Sequence, residues 1–244
     1  MRIGIIGAGN IGATLARRLV AAGHSVLIAN SRGLGTLREI ELSTGARAAE
    51  MERVGYDVDA LVLSVPQRAV IGLPPSLFAH APFVIDTNNY YPWRDERITA
   101  LDDGLPDSVW IEQRIERPVV KVFNSIQSDS LAHFSRSHGA SDRIALPLSG
   151  DGDDALQVTA TLVNDIGFDP VIAGDLASSW RQQPGSPVYC TDVNEAALRR
   201  LLPLADRARL PELRDAAIRE FMAASPPATP EQRREIFRRL YLPA

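Results

Sequence analysis

Residues 1–32 read MRIGIIGAGNIGATLARRLVAAGHSVLIANSR, and this stretch decides the fold. Arg2 to Ile6 is a short apolar run of the kind a buried parallel strand needs, and it stops at Gly7, Ala8, Gly9, Asn10, Ile11 and Gly12. The spacing is G-x-G-x-x-G, set between a strand and a helix as a dinucleotide-binding turn requires. Gly7 allows the tight turn, Gly9 removes the side chain that would block a pyrophosphate, and Gly12 lets the following helix pack close to the sheet. The pattern predicts that helix over Asn10 to Ala22, closed by Gly23, with its free amide groups aimed at phosphates.

The second predicted strand, His24 to Ala29, ends where such a fold places the residue that reads the adenosine ribose. An acidic side chain there accepts hydrogen bonds from a free hydroxyl and repels a phosphate, which selects NAD. This chain has Asn30, Ser31 and Arg32 instead. A hydroxyl beside a guanidinium fork suits a ribose phosphate, so the expected cofactor is NADP(H).

Composition narrows the class. The 244 residues are 45% hydrophobic and 23% charged, enough to bury a full core without disulfide or metal staples. A net charge of −4, with basic residues scattered among acids, gives no basic footprint for nucleic acid. Cys190 is the single cysteine, which suits a reducing compartment. The first strand starts at once, leaving no room for a signal peptide, and no apolar run approaches a membrane span. A cytoplasmic protein acting on a small molecule is expected, with no nucleic-acid or membrane partner and with homodimerisation left open.

Further β-branched runs at Gly45–Ala49, Ala60–Ser64, Phe83–Asp86 and Val119–Phe123 continue the alternation and predict a Rossmann-type, doubly wound, mainly parallel α/β sheet. Arg143–Ser149 and Phe168–Ala173, around a helix over Asp153–Asp165, extend it. Beyond lies a helical tail, with a predicted capping box at Asp192–Glu195, a Pro-rich joint at Ser225–Pro230 and an arginine-rich amphipathic stretch at Glu231–Leu240. The chain divides into an NADP-binding domain over 1–175 and a segment over 176–244 that covers the cleft or forms a subunit contact.

In an open α/β sheet the ligand lies beyond the carboxyl ends of the strands. The turns there carry Ser64, Val65 and Pro66, then Asn88, then Asn124, Ser125 and Ile126, then Trp180. The first four of these are expected to border the nucleotide. Asn124, Ser125, Ile126 and Trp180 are expected to border the substrate, Trp180 being equally well a core plug. Polar uncharged groups hydrogen-bond a carboxamide or ring carbonyl without adding charge. Acid–base equipment is sparse: Lys121 inside a strand and His133 on a following helix are the candidates. His24, His80, His133 and His138 are isolated, so no metal site is expected. Hydride transfer to a ring that needs no protein proton donor fits this lack.

GAGNIG with Ser31 and Arg32, LSVP at Leu63–Pro66, IDTNN at Ile85–Asn89, VVKVFNSI at Val119–Ile126 and the closing Ala173–Gly174 together resemble the NADP oxidoreductases that use the deazaflavin coenzyme F-420. The N-terminal domain of pyrroline-5-carboxylate reductases and the NADPH-binding domain of membrane ferric reductases belong to the same fold family. The resemblance covers about Met1 to Asp175. It implies NADP on Ala8–Ile11 and on Ser31 with Arg32, and a flat acceptor, F-420 or a flavin, near Asn124–Ile126. Residues 89–117 and the tail after Leu202 have no counterpart in it. Three readings stay open: a reductase of a conjugated ring, an imine or carbonyl reductase with Lys121, His133 or water as proton donor, and a non-catalytic NADP(H) sensor.

Overall fold

The computed structural model describes residues 1–243, and among them a single sheet runs through the molecule. Its strands are β1 Arg2–Ile6, β2 Ser25–Ala29, β3 Arg47–Ala48, β4 Ala60–Leu63, β5 Val84–Asp86, β6 Val119–Lys121, β7 Ala145–Ser149 and β8 Asp169–Gly174. They lie in the order β3-β2-β1-β4-β5-β6-β7-β8. The helices are α1 Asn10–Ala21, α2 Arg38–Thr44, α3 Pro92–Asp95, α4 Thr99–Asp102, α5 Asp107–Ile115, α6 Ser128–His133, α7 Asp153–Asp165, α8 Glu195–Leu201, α9 Leu210–Ala223 and α10 Pro230–Tyr241. This is the predicted Rossmann-type sheet with two further strands and a helical C-terminal part.

Alternation along each strand builds two core layers, because successive side chains leave opposite faces. Ile3, Ile5, Ala60, Val62, Ile85 and Val120 pack into the layer that holds Leu15 and Leu19 of α1 and Leu162 of α7. Ile6, Leu61, Leu63, Val84 and Val119 pack into the other, against Phe78 and against Trp110 and Ile111 of α5. By the same parity Asp86 and Lys121, register neighbours on β5 and β6, fall on the α5 side. The C-terminal helices add smaller clusters: Leu198 and Leu201 lie against Ala145 and Val171 of the sheet extension, and Phe237, Tyr241 and Ala217 surround Tyr189 and Cys190.

Four sequence expectations change. The third strand is two residues long rather than five, since α2 runs to Thr44 and Gly45 turns the chain at φ 77°. β6 stops at Lys121, and Phe123, expected inside it, takes the left-handed conformation at φ 62°. β7 pairs antiparallel with β6 and β8 follows β7, so the turn at Gly174–Asp175 leaves the sheet facing away from the carboxyl ends of the first six strands. The capping box at Asp192–Glu195 is absent: Asn194 caps α8 through Ala197 N, and a capping box forms instead at Thr229 and Gln232 ahead of α10.

Candidate dinucleotide and acceptor site

The glycine turn sorts its residues by what constrains them. A Cβ on Gly7 would lie 2.0 Å from the Ser64 carbonyl oxygen, and one on Gly12 would lie 2.0 Å from the Gly7 carbonyl oxygen. Both are backbone contacts that cannot yield. Gly9 differs: its φ of −80° suits any residue, and a Cβ there meets nothing within 4 Å. The folded chain therefore has no need of glycine at position 9, whereas a ligand pressed onto the loop does. Gly9 caps α1 without a side chain and the first turn holds no acidic residue, which leaves the helix's leading amides free for an anion. Phosphates of a dinucleotide fit this cradle.

At the end of β2 the predicted trio divides. Asn30 is buried and its side chain holds the loop, Oδ1 accepting from Arg32 N at 2.9 Å and Nδ2 donating to Thr36 Oγ1 at 2.9 Å. Among the described residues the Ser31 and Arg32 side chains are exposed and make no hydrogen bond or ion pair. An open groove of about 480 Å³ runs from Ala8, Gly9 and Asn10 along Arg17 of α1 to α6 and to Pro230 and Arg233 of α10. His133 lies in this groove, 69% exposed at its side chain and 3.9 Å from Asp129. Arg233 is the residue here that sequence reading missed. Some two hundred positions separate it from the glycine turn, and no local pattern joins them.

After β4 and β5 the chain is tied together by Asn88. Its Oδ1 accepts from Val65 N at 3.0 Å, and its Nδ2 is buried without a partner among the described residues. Ser64 packs over the glycine turn, where its carbonyl limits Gly7, and Pro66 begins the helical turn Gln67–Gly72. Lys121 is wholly buried. Its Nζ lies 3.5 Å from Asp86 Oδ2 and donates to the Asn88 carbonyl at 3.1 Å and to Ser108 Oγ at 3.0 Å. Ser108 in turn donates to Asp86 Oδ2 at 2.6 Å. All of its donors are thus directed into the protein, as a counter-ion and a brace for the loop after β5.

Asn124 is equally engaged. It donates to Asn89 Oδ1 at 3.1 Å and to the Gln182 carbonyl at 2.7 Å, and its Oδ1 accepts from Gln182 Nε2 at 3.0 Å. Gln182, buried between β6 and β7, also reaches the carbonyls of Lys121 and Pro147 and accepts from Ser149 Oγ. It clamps the antiparallel junction, a role invisible before the strands are paired. Ser125 Oγ is buried without a partner among the described residues, while Ile126 belongs to the core. Trp180 is half-buried under Arg181 and Arg207, with guanidinium carbons 4.7 and 5.6 Å from its ring centroid. It borders a cavity beside α5 and α9.

Comparison with known proteins bears on the turn and the strands just described. Residues 2–90 match the family NADP oxidoreductase, coenzyme F420-dependent. The resemblance read from the sequence holds over that segment, and the family is one of NADP-dependent oxidoreductases. YjhV of Escherichia coli K12 is 51% identical over 85 residues, covering 33% of this chain and 62% of that protein. The match thus spans less than two thirds of that relative's length. The structure of protein SMa0349 of Sinorhizobium meliloti superposes with a TM-score of 0.68 at 29% identity, covering 80% of this chain and 95% of that one. A structure from Arthrobacter, provisionally named an F420-dependent NADP-reductase, gives 0.61 at 21% identity, covering 73% and 87%. A pyrroline-5-carboxylate reductase of Coxiella burnetii gives 0.52 at 14% identity, covering 96% and 83%, a likeness of fold alone.

Proposed function

We propose that this chain is an NADPH-dependent oxidoreductase that delivers hydride to a deazaflavin, flavin or similar conjugated ring through positioning alone. Bound NADPH would supply the hydride. The glycine turn and the α1 amides hold the pyrophosphate, and Ser31 with Arg32 holds the ribose phosphate. Ser64, Val65, Pro66 and Asn88 border the nicotinamide, Asn88 Nδ2 being a free donor for its carboxamide. Ser125 Oγ is the free group on the acceptor side, since Asn124 and Ile126 serve the scaffold. The carrying observation is Gly9, a glycine that the protein's own packing does not require. A protein proton donor gains no support from the geometry, because Lys121 faces inward to Asp86 and His133 lines the phosphate groove at Gly9, whose lining includes neither Asn88 nor Ser125.

The test mixes the protein and NADPH with F-420, FMN, FAD, ferric chelates and cyclic imines and follows nicotinamide absorbance. Turnover of a ring acceptor is expected, and turnover of imines alone overturns the reading. Gly9→Ala is expected to fold with an unchanged melting temperature and to weaken NADPH binding by about tenfold or more, the order of a lost charged hydrogen bond. Unchanged affinity in that variant removes the cradle argument. A reducing, cytoplasmic setting is consistent with the single cysteine. Segment 176–244 is read as a cover of the cleft in the same chain, because Arg233 reaches the groove that starts at the glycine turn.

A further inference from the structure

The stretches without counterpart in the family resemblance, residues 89–117 and the tail, meet around a cavity of about 70 Å³. Apart from Tyr90, its walls lie outside residues 2–90. A water needs on the order of 10–15 Å³ of such space, so the cavity has room for about five or six heavy atoms. Its lining mixes charged and polar groups with apolar ones. Arg207 and Arg214 are among them; Arg207 gives one nitrogen to the Gly104 carbonyl and Arg214 gives Nε to Asp215, and among the described residues their other nitrogens have no hydrogen-bond partner. Asp107 and Gln183 also line it, joined by Gln183 Nε2 donating to Asp107 Oδ1 at 2.6 Å. Gln183 Oε1 is buried and among the described residues accepts from nothing. Tyr90 and Trp180 supply aromatic walls, completed by leucines and prolines.

We propose that this cavity is a binding site for a two- or three-carbon carboxylate carrying an adjacent N–H or O–H donor, an α-amino or α-hydroxy acid. The carboxylate meets the guanidinium groups, which match it bidentately, and the donor satisfies Gln183 Oε1. Burial pushes the Asp107 carboxyl above the usual range, which favours its neutral form, against the opposing pull of Lys121, the Tyr90 amide and Arg214. Through Asp107, Tyr90 and Lys121 the cavity is joined to the loop that carries Asn88. The proposal stands independently of the NADPH reading.

Protein-observed NMR on the full chain tests it, with the Trp180 indole N–H and the Gln183 side-chain amide as reporters. Titration with glycine, glycolate, acetate and ethylene glycol is expected to shift both reporters saturably for glycine or glycolate, with Kd about 1 mM, as a ligand of this size allows. Which of the pair binds tells an amino donor from a hydroxyl. Acetate lacks the donor and ethylene glycol the charge, so each binds at least about tenfold more weakly. Arg207→Met, at an exposed position that folding tolerates, and Arg214→Met each weaken binding about tenfold. Absence of saturation, shifts that miss both reporters, acetate equal to glycolate, or indifference to both substitutions overturns the proposal. An NADPH titration of the same sample reads the dinucleotide site separately, so failure of one reading leaves the other intact.

Discussion

Lys121 shows how much one residue's environment changes its reading. From sequence it is a lysine near a sheet end and a candidate base. In the fold it has no exposed surface and stands beside Asp86, also without exposed surface, in register across β5 and β6. Removing one partner of a buried pair leaves the other charge uncompensated, at a cost of about 3–5 kcal/mol. Lys121→Met is therefore expected to lower unfolding free energy by that order in urea titrations, and a fully stable variant that loses only turnover would return Lys121 to catalysis. Arg32 is the opposite case, exposed and among the described residues without a side-chain partner, so a proposed role in binding is tested without disturbing the fold. Arg32→Ala is expected to weaken NADPH binding by about 1.5–3 kcal/mol, leave NADH binding unchanged and not alter stability. Equal loss for both cofactors in equilibrium titrations would remove the phosphate from the argument. The glycine turn was legible because its backbone geometry depends on near neighbours in the chain, while Lys121, Asn124 and Gln182 depend on partners across strands.

The elements follow the same division. α1 and α7 were readable to within a residue because apolar period, cap and closing glycine are local signals. The reversal at β7 was not, since a buried strand reads the same in either direction and only pairing with β6 fixes it. The arginine-rich stretch became α10, whose attachment also escaped sequence reading. Arg234 pairs with Asp192 at 2.6 Å, and Tyr241 and Phe237 pack on Tyr189, whose hydroxyl lies 2.6 Å from that of Tyr91. Burial holds the Cys190 thiol above its ordinary 9.0 and the Tyr91 and Tyr189 hydroxyls above 10.0. The folded state thus keeps protons that the unfolded chain gives up, so this contribution is whole below pH 9 and is lost as pH rises further. Urea midpoints measured from neutral pH to about 10.5 should fall in the wild type and fall less in Tyr189→Phe with Cys190→Ala. A parallel decline in both would show that other groups govern alkaline unfolding.

For the whole molecule, the decisive arrangement is that the C-terminal helices return to the front half. Val188, Leu198 and Leu201 pack on the sheet extension, and Arg233 lies in the groove that begins at Gly9. Dinucleotide binding at the turn should therefore be felt in α10. At NADPH about a hundredfold above Kd, global stability should rise by about 2.7 kcal/mol. Hydrogen exchange should slow in the first turn of α1 and also at the start of α10, and Arg233→Met should abolish the second effect; unchanged exchange in α10 would place the tail outside the site. Residues 1–32 by themselves determined the strand–turn–helix, and they carry the proposed phosphate cradle and NADP preference, because each rests on backbone geometry and charge within a few residues. Only the tertiary structure decided that Lys121 is a buried counter-ion, that Gln182 is a clamp holding Asn124, and that residues from 90–107, 180–184 and 207–214 line one cavity. Those facts are pairings between groups far apart in the chain, and a sequence shows such groups without showing which of them share a place from which water is excluded.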